Sequence, residues 1–129
     1  MQISCIREIH LKSRNLRKSL AFYQDLCAFP TLSYIKDKHA IFEAGSALLY
    51  CHQLKSGQEF PGSSDSEFVN QFISVECSPG EFENNLEELK DSEYSLLSEG
   101  NYDNNKRFFR MEDPDGNLIE VVESGHWDK

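Results

Sequence analysis

The stretch RFFRMEDPDGNLIEVV, residues 107–122, decides the fold of this chain. It predicts two strands joined by a tight turn, because Pro114 fixes φ at the second turn position and Gly116 can take the positive φ that closes the turn. Side chains alternate along the second strand, which puts the carboxylate of Glu120 on an otherwise apolar face. Burying a carboxylate is unfavourable without a partner, so we ask first which group pairs with Glu120 and what that pair does.

The bulk composition is typical of a soluble, single-domain globular protein, here covering residues 1–129. Apolar residues make up 39% and charged residues 27% of the chain. No apolar run approaches the roughly 20 residues that a membrane span needs, and no signal-like stretch opens the sequence, so we expect a cytoplasmic location and no membrane partner. The net charge of −9 disfavours nucleic-acid partners and would suit a cationic ligand.

The chain repeats one order of elements, which is the second informative feature. Module one, about residues 1–53, is predicted as a strand over residues 3–13, a helix capped by Asn15 and three further strands. Residues 54–66 are polar and rich in Gly, Ser and Pro, which indicates a linker. Module two, about residues 67–125, repeats the βαβββ order. The sequence therefore predicts an α+β fold, in which two tandem βαβββ modules form a curved mixed sheet around a concave pocket.

Two stretches resemble the vicinal oxygen chelate superfamily, the glyoxalase/bleomycin resistance protein/extradiol dioxygenase group. They are LRKSLAFYQDL at residues 16–26 and DPDGNLIE at residues 113–120, and the resemblance extends over nearly the whole chain. It implies the duplicated fold and a homodimer, because this family commonly pairs two chains. It leaves the function open, because members include metal-dependent isomerases, dioxygenases, thiol transferases and metal-free drug binders.

The resemblance also implies positions for a metal site on the first and last strands of each module. Glu120 matches the last-strand position of module two. The first-strand position of module one falls on Glu8, where the family more often has His, and His10 lies two residues further on the same face. These three residues, Glu8, His10 and Glu120, could hold one divalent cation of the Mg or Mn type weakly.

The other two positions of the implied metal site carry no His, Asp or Glu side chain. Aligning Gly45 with Gly116 gives Leu49 for the last strand of module one. For the first strand of module two, the count gives Phe72 without a gap or Asn70 with a small insertion. We therefore expect these positions to contact a bound small molecule, together with Arg110. The predicted substrate-binding residues are thus Leu49, Asn70, Phe72 and Arg110.

A metal-free interpretation competes with the metal site. If the hairpin pairs Glu112 with Leu118, Arg110 faces Glu120 across the ladder and forms a cross-strand ion pair. Glu120 would then be structural or ligand-binding. His52 has the same parity as Tyr50, and we expect both to face the helix side, away from the pocket.

Two functions follow from these expectations. The first is a bleomycin-resistance-like protein that binds a small, cationic or aromatic molecule with no cofactor. The alternative is a divalent-metal-dependent lyase, isomerase or thiol transferase of glyoxalase type. In that case Glu8 and Glu120 hold the cation, Glu120 and His10 are catalytic, and the metal stabilises a developing oxyanion.

Overall fold

The computed structural model describes residues 1–55 and 70–125, and each of these two ranges forms a compact unit. Apart from Leu54 and Lys55, the predicted linker 54–66 lies outside the described residues. Each unit is a four-stranded mixed sheet with its helix on one face. Over the residues that the structure describes, no helix is both long and apolar enough to cross a membrane.

The first unit contains four strands and one helix. The elements are β1 (Glu8–Ser13), α1 (Leu16–Leu20) continuing as a π-helical segment (Ala21–Leu26), β2 (Thr31–Ile35), β3 (His39–Ala44) and β4 (Ala47–Gln53). The strand order is β1-β4-β3-β2, with β1 parallel to β4 and the other pairs antiparallel.

The second unit repeats this arrangement. The elements are β5 (Phe72–Cys77), a short 3₁₀ turn (Pro79–Glu81), α2 (Phe82–Asp91), β6 (Leu96–Asn101), β7 (Arg107–Glu112) and β8 (Leu118–Glu123). The strand order is β5-β8-β7-β6, again with the first and last strands in the chain parallel, which confirms the predicted duplication and the α+β class.

The helix of each unit covers one face of its sheet because its apolar residues recur at helical spacing. In the first unit Asn15 caps α1 by accepting a hydrogen bond from the Lys18 amide at 3.2 Å, and Phe22 and Tyr23 are fully buried. In the second unit the ring of Phe82 on α2 meets that of Phe109 on β7 edge to face, with centroids 5.4 Å apart. The residues between these buried positions on the strands therefore point to the opposite face.

The turn between β7 and β8 is built as its sequence predicts. Gly116 has φ 85°, and a Cβ at this position would lie 2.7 Å from the side-chain nitrogen of Asn70. The carboxylate of Asp113 accepts hydrogen bonds from the amides of Asp115 (2.9 Å) and Asn117 (2.8 Å) and from the Asn117 side chain (2.8 Å). Because these residues are buried, the network fixes the hairpin register and with it the position of Glu120.

The acidic charge of the chain is concentrated in the second unit. Residues 1–55 carry eight Lys and Arg against four Asp and Glu, whereas residues 70–125 carry four against 14. The first unit is thus net positive although the chain as a whole is strongly negative. The two units consequently favour ligands of opposite charge.

Candidate functional site

The carboxylate of Glu120 is held by three side chains of the second unit. The hydroxyl of Ser74 donates to Oε1 at 2.8 Å, the hydroxyl of Tyr102 donates to Oε2 at 2.5 Å, and Nε of Arg110 donates to Oε2 at 3.1 Å. Glu120 is only 3% exposed. These bonds satisfy a carboxylate whose burial would otherwise be unfavourable.

The ion pair between Arg110 and Glu120 is the cross-strand pair that the sequence predicts. Glu112 lies opposite Leu118 in the ladder, so Arg110 lies opposite Glu120. The pair is positioned by β7, β8 and the turn that joins them, because that turn sets which residues face each other.

The hydrogen bonds control how these groups titrate. Burial acts to raise the pKa of Glu120, but the bonds from Tyr102, Ser74 and Arg110 outweigh it and hold the pKa below its ordinary value of 4.5. The hydrogen bond to Glu120 in turn raises the pKa of the Tyr102 phenol. Glu120 is therefore a stable anion at neutral pH, and Tyr102 keeps its proton.

Aromatic rings surround the guanidinium of Arg110. It lies 4.6 Å from the centroid of the Phe108 ring and 5.7 Å from that of Phe72. Phe72 is 53% exposed, although phenylalanine is among the residues most often buried. The face of the sheet opposite α2 thus carries a half-exposed aromatic ring beside a neutralised guanidinium.

A second cluster lies on the corresponding face of the first unit. The Nε2 of His10 lies 3.0 Å from Oε1 of Glu8, and Nδ1 of His10 lies 2.7 Å from Nε2 of His52. The rings of His10 and Tyr50 stack with centroids 4.5 Å apart. Because a carboxylate only accepts, His10 donates from Nε2 to Glu8, and one proton is shared between the two imidazoles.

The position of His52 corrects the expectation that it faces the helix. β1 runs parallel to β4, with His10 opposite Tyr50 and Lys12 opposite His52. Residues opposite each other in a ladder share a face, so Tyr50 and His52 lie with His10 and away from α1. The alternation of side chains along β4 does not by itself show which face His52 takes. That face is set by the pairing of β4 with β1, about 40 residues earlier in the chain.

The pKa of His52 is lowered from 6.5, first by burial and then by the positive charges of His10, Lys12 and His39. A histidine with a lowered pKa in the folded state binds its proton more readily when unfolded, so stability falls as the pH drops below about 6.5 and through the folded pKa. We expect His52→Gln to flatten the loss of stability between pH 7 and pH 5. Urea unfolding at several pH values measures this slope, and an unchanged slope would contradict the assignment.

Leu49 does not lie at the position equivalent to Glu120, where the alignment of Gly45 with Gly116 placed it. It is 3% exposed and lies on the core face opposite Ile9 of β1, whereas Glu8 and His10 lie on the other face of the sheet. Leu48 lies opposite Glu8, the first residue of β1, and Leu118 lies opposite Phe72, the first residue of β5, so Leu48 and Leu118 are equivalent positions. Two residues further along each strand, Tyr50 is therefore the counterpart of Glu120. The glycine alignment fails by one residue, because the first hairpin has one more residue between its glycine and this reference position.

The same register places Phe72 at the position equivalent to Glu8, in agreement with the ungapped count. The side chain of Asn70 donates to the carbonyl of Gly116 at 2.7 Å and so ties the start of β5 to the turn. The Ser74 and Tyr102 partners of Glu120 are missed by the sequence analysis. Ser74 is brought opposite Glu120 by the parallel pairing of β5 with β8, which no local pattern in the sequence indicates.

The residues proposed for a divalent metal do not fit one well in this arrangement. Both oxygens of Glu120 accept bonds within their own unit, and a guanidinium lies 3.1 Å from one of them, which opposes a cation. Both nitrogens of His10 are likewise occupied by Glu8 and His52. Across residues 1–55 and 70–125, no group of three or more His, Cys, Asp or Glu side chains is arranged to hold a metal ion.

The family model for the glyoxalase/bleomycin resistance protein/dioxygenase superfamily matches residues 6–121, which is most of the sequence. The chain belongs to this superfamily. Comparison with curated protein sequences gives no match. The superfamily membership agrees with the duplicated strand order and with the two stretches that carried the resemblance.

Solved structures share the fold at low sequence identity. A lactoylglutathione lyase from Agrobacterium tumefaciens is similar over 100% of both chains, with a TM-score of 0.81 and 17% identity. The fosfomycin resistance protein FosX from Mesorhizobium loti gives a TM-score of 0.72 and 11% identity, covering 98% of this chain and 96% of its own. TioX from Micromonospora sp. ML1 gives 0.72 and 12%, covering 93% and 98%. At these identities the likeness concerns the fold.

Proposed function

We propose that the protein, as a homodimer, binds a small planar or cationic molecule on the second unit's sheet, at Phe72 and Arg110. The observation that carries the proposal is the half-exposed ring of Phe72 beside a guanidinium that Glu120 neutralises. A flat ligand can stack there without leaving a charge unpaired. The excess of acidic residues in 70–125 favours a positively charged ligand.

Glu120 acts in this proposal as a positioning residue. It holds Arg110 in the ladder, and Tyr102 and Ser74 hold Glu120, so the guanidinium plane is fixed before a ligand arrives. Pre-organisation of this kind increases affinity because fewer side chains lose freedom on binding.

The test is a calorimetric titration of bleomycin, chosen because the superfamily includes bleomycin resistance proteins, into the protein and two variants. We expect saturable binding that Phe72→Ala weakens by roughly tenfold, about the contribution of one stacked aromatic ring. Leu32→Ala is the matched control, because Leu32 is similarly exposed at 51% but belongs to the other unit. Absence of saturable binding, or equal losses in both variants, would refute the proposal.

The alternative is the metal-dependent lyase, isomerase or thiol transferase that would use Glu8 and Glu120. It requires Glu120 to exchange its three hydrogen-bond donors for a cation. The same calorimeter distinguishes the two functions with Mn²⁺ as the probe. Stoichiometric uptake that Glu120→Gln abolishes would favour the alternative and count against a metal-free binder.

A further inference from the structure

A cavity of about 570 Å³ lies in the first unit, where β1 ends, α1 begins and the β2–β3 turn approaches the end of β4. Four cationic side chains and one carboxylate are among its lining residues. They are Arg14, Arg17, Lys36 and Lys55, with Asp37 as the acid. We propose that this cavity is a binding site for a small multivalent anion of the pyrophosphate class.

The walls of the cavity are fixed by backbone hydrogen bonds. The side-chain amide of Gln53 donates to the carbonyls of Arg14 at 2.9 Å and Leu54 at 3.0 Å, which ties the segment before α1 to the end of β4. The Gln53 amide donates to the carbonyl of Lys38 at 2.9 Å, and the Lys38 amide donates to that of Ile35 at 3.0 Å. These hydrogen bonds therefore fix the backbone segments that carry the cationic side chains.

The concentration of positive charge is the observation that calls for a ligand. A sphere of the cavity's volume has a radius of about 5 Å, less than the Debye length of about 8 Å at physiological salt, so the lining charges act together. Half of the eight Lys and Arg of residues 1–55 line this one cavity. Guanidinium groups bind phosphate oxygens in a fork, so Arg14 and Arg17 suit an anion that carries several oxygens.

An adjoining cavity of about 490 Å³ extends the positive region. It shares Asp37, Gln53 and Lys55 with the first cavity and adds Lys12 and Lys38. Two cationic cavities that share a wall suit a ligand with two linked anionic groups better than a single phosphate. A long polyanion is disfavoured, because the chain as a whole carries a charge of −9.

The experiment is a calorimetric titration of inorganic pyrophosphate at two salt concentrations. We expect saturable binding that weakens with salt and that Arg17→Gln combined with Lys36→Gln reduces by roughly tenfold, which is the sum expected for two exposed charge pairs. Asp37→Asn is expected to tighten binding by roughly threefold, because it removes a like charge from the ligand's surroundings. Asparagine tolerates the positive φ of 63° at this position, so the turn is preserved.

The control is Lys18→Gln combined with Lys90→Gln, which removes the same total charge outside both cavities. An equal loss in the two double variants would overturn the proposal, since the effect would then belong to net charge. So would the absence of saturable pyrophosphate binding to the unmodified chain. Tighter binding of a single-stranded oligonucleotide than of pyrophosphate, weakened by Arg17→Gln with Lys36→Gln, would overturn the assignment to a small anion.

Discussion

Asp113→Ala is expected to lower the free energy of unfolding by about 3–5 kcal/mol, the cost of leaving buried hydrogen-bond donors without an acceptor. The carboxylate accepts from the Asp115 amide, the Asn117 amide and the Asn117 side chain. Asp113, Asp115 and Asn117 are at most 7% exposed, so water cannot replace the lost acceptor without opening the turn. Urea unfolding at pH 7 measures the loss.

A pair of substitutions separates the hydrogen bonds from other effects of the change. Asp113→Asn replaces one acceptor oxygen by a donor that faces the Asn117 amide group, so we expect a partial loss of stability. Adding Asn117→Asp should restore much of it, because the new carboxylate can accept both from position 113 and from the Gln71 amide, which now bonds Asn117 Oδ1 at 3.0 Å. Failure of the second substitution to rescue the first would show that charge, not hydrogen bonding, holds the turn.

Features that depend on neighbouring residues in the chain could be predicted from the sequence. The turn at residues 113–117 follows from proline and glycine preferences, and once the turn is set, the pairing of Arg110 with Glu120 follows from counting. The repeat of βαβββ elements is likewise visible, because each helix has its own apolar stripe. Even so, β1 begins at Glu8 and not at residue 3 as the apolar pattern predicts.

Features that depend on pairing between distant strands could not be predicted. The side of the sheet on which His52 lies, and the choice of Tyr50 over Leu49 as the counterpart of Glu120, both rest on the parallel pairing of β1 with β4. Tyr102 lies in the loop between β6 and β7, where no periodicity indicates its direction, yet its hydroxyl completes the Glu120 site. A one-residue error in register changes the face of a side chain, so these misses have a common physical origin.

Arg110→Met is expected to lower the free energy of unfolding by about 2–3 kcal/mol at pH 7, because it leaves the buried Glu120 carboxylate without its cation. This loss is smaller than the cost of breaking a fully buried ion pair, since the Arg110 side chain is 32% exposed. Methionine keeps an unbranched apolar stem against the rings of Phe72 and Phe108, so the packing change is small.

The dependence of this loss on pH identifies the carboxylate as its cause. In the unmodified chain the pKa of Glu120 is below 4.5, so its contribution to stability is present above the unfolded pKa and is lost as the pH falls through the folded pKa. Without Arg110 one of the bonds that lower the pKa of Glu120 is gone. In the variant, Glu120 should therefore take up its proton at a higher pH, which removes the unpaired charge. We therefore expect the difference between the two proteins to be largest at pH 7 and to shrink below about pH 4.5.

A double-mutant cycle isolates the pair itself. In the background of Glu120→Gln there is no charge to neutralise, so Arg110→Met should cost about 1–2 kcal/mol less than in the unmodified chain. Urea unfolding of the four proteins at pH 7 gives this coupling energy directly. Additive costs would mean that Arg110 stabilises the sheet through its contacts with the aromatic rings alone, and Glu120 would then have no part in holding the guanidinium that the proposed ligand meets.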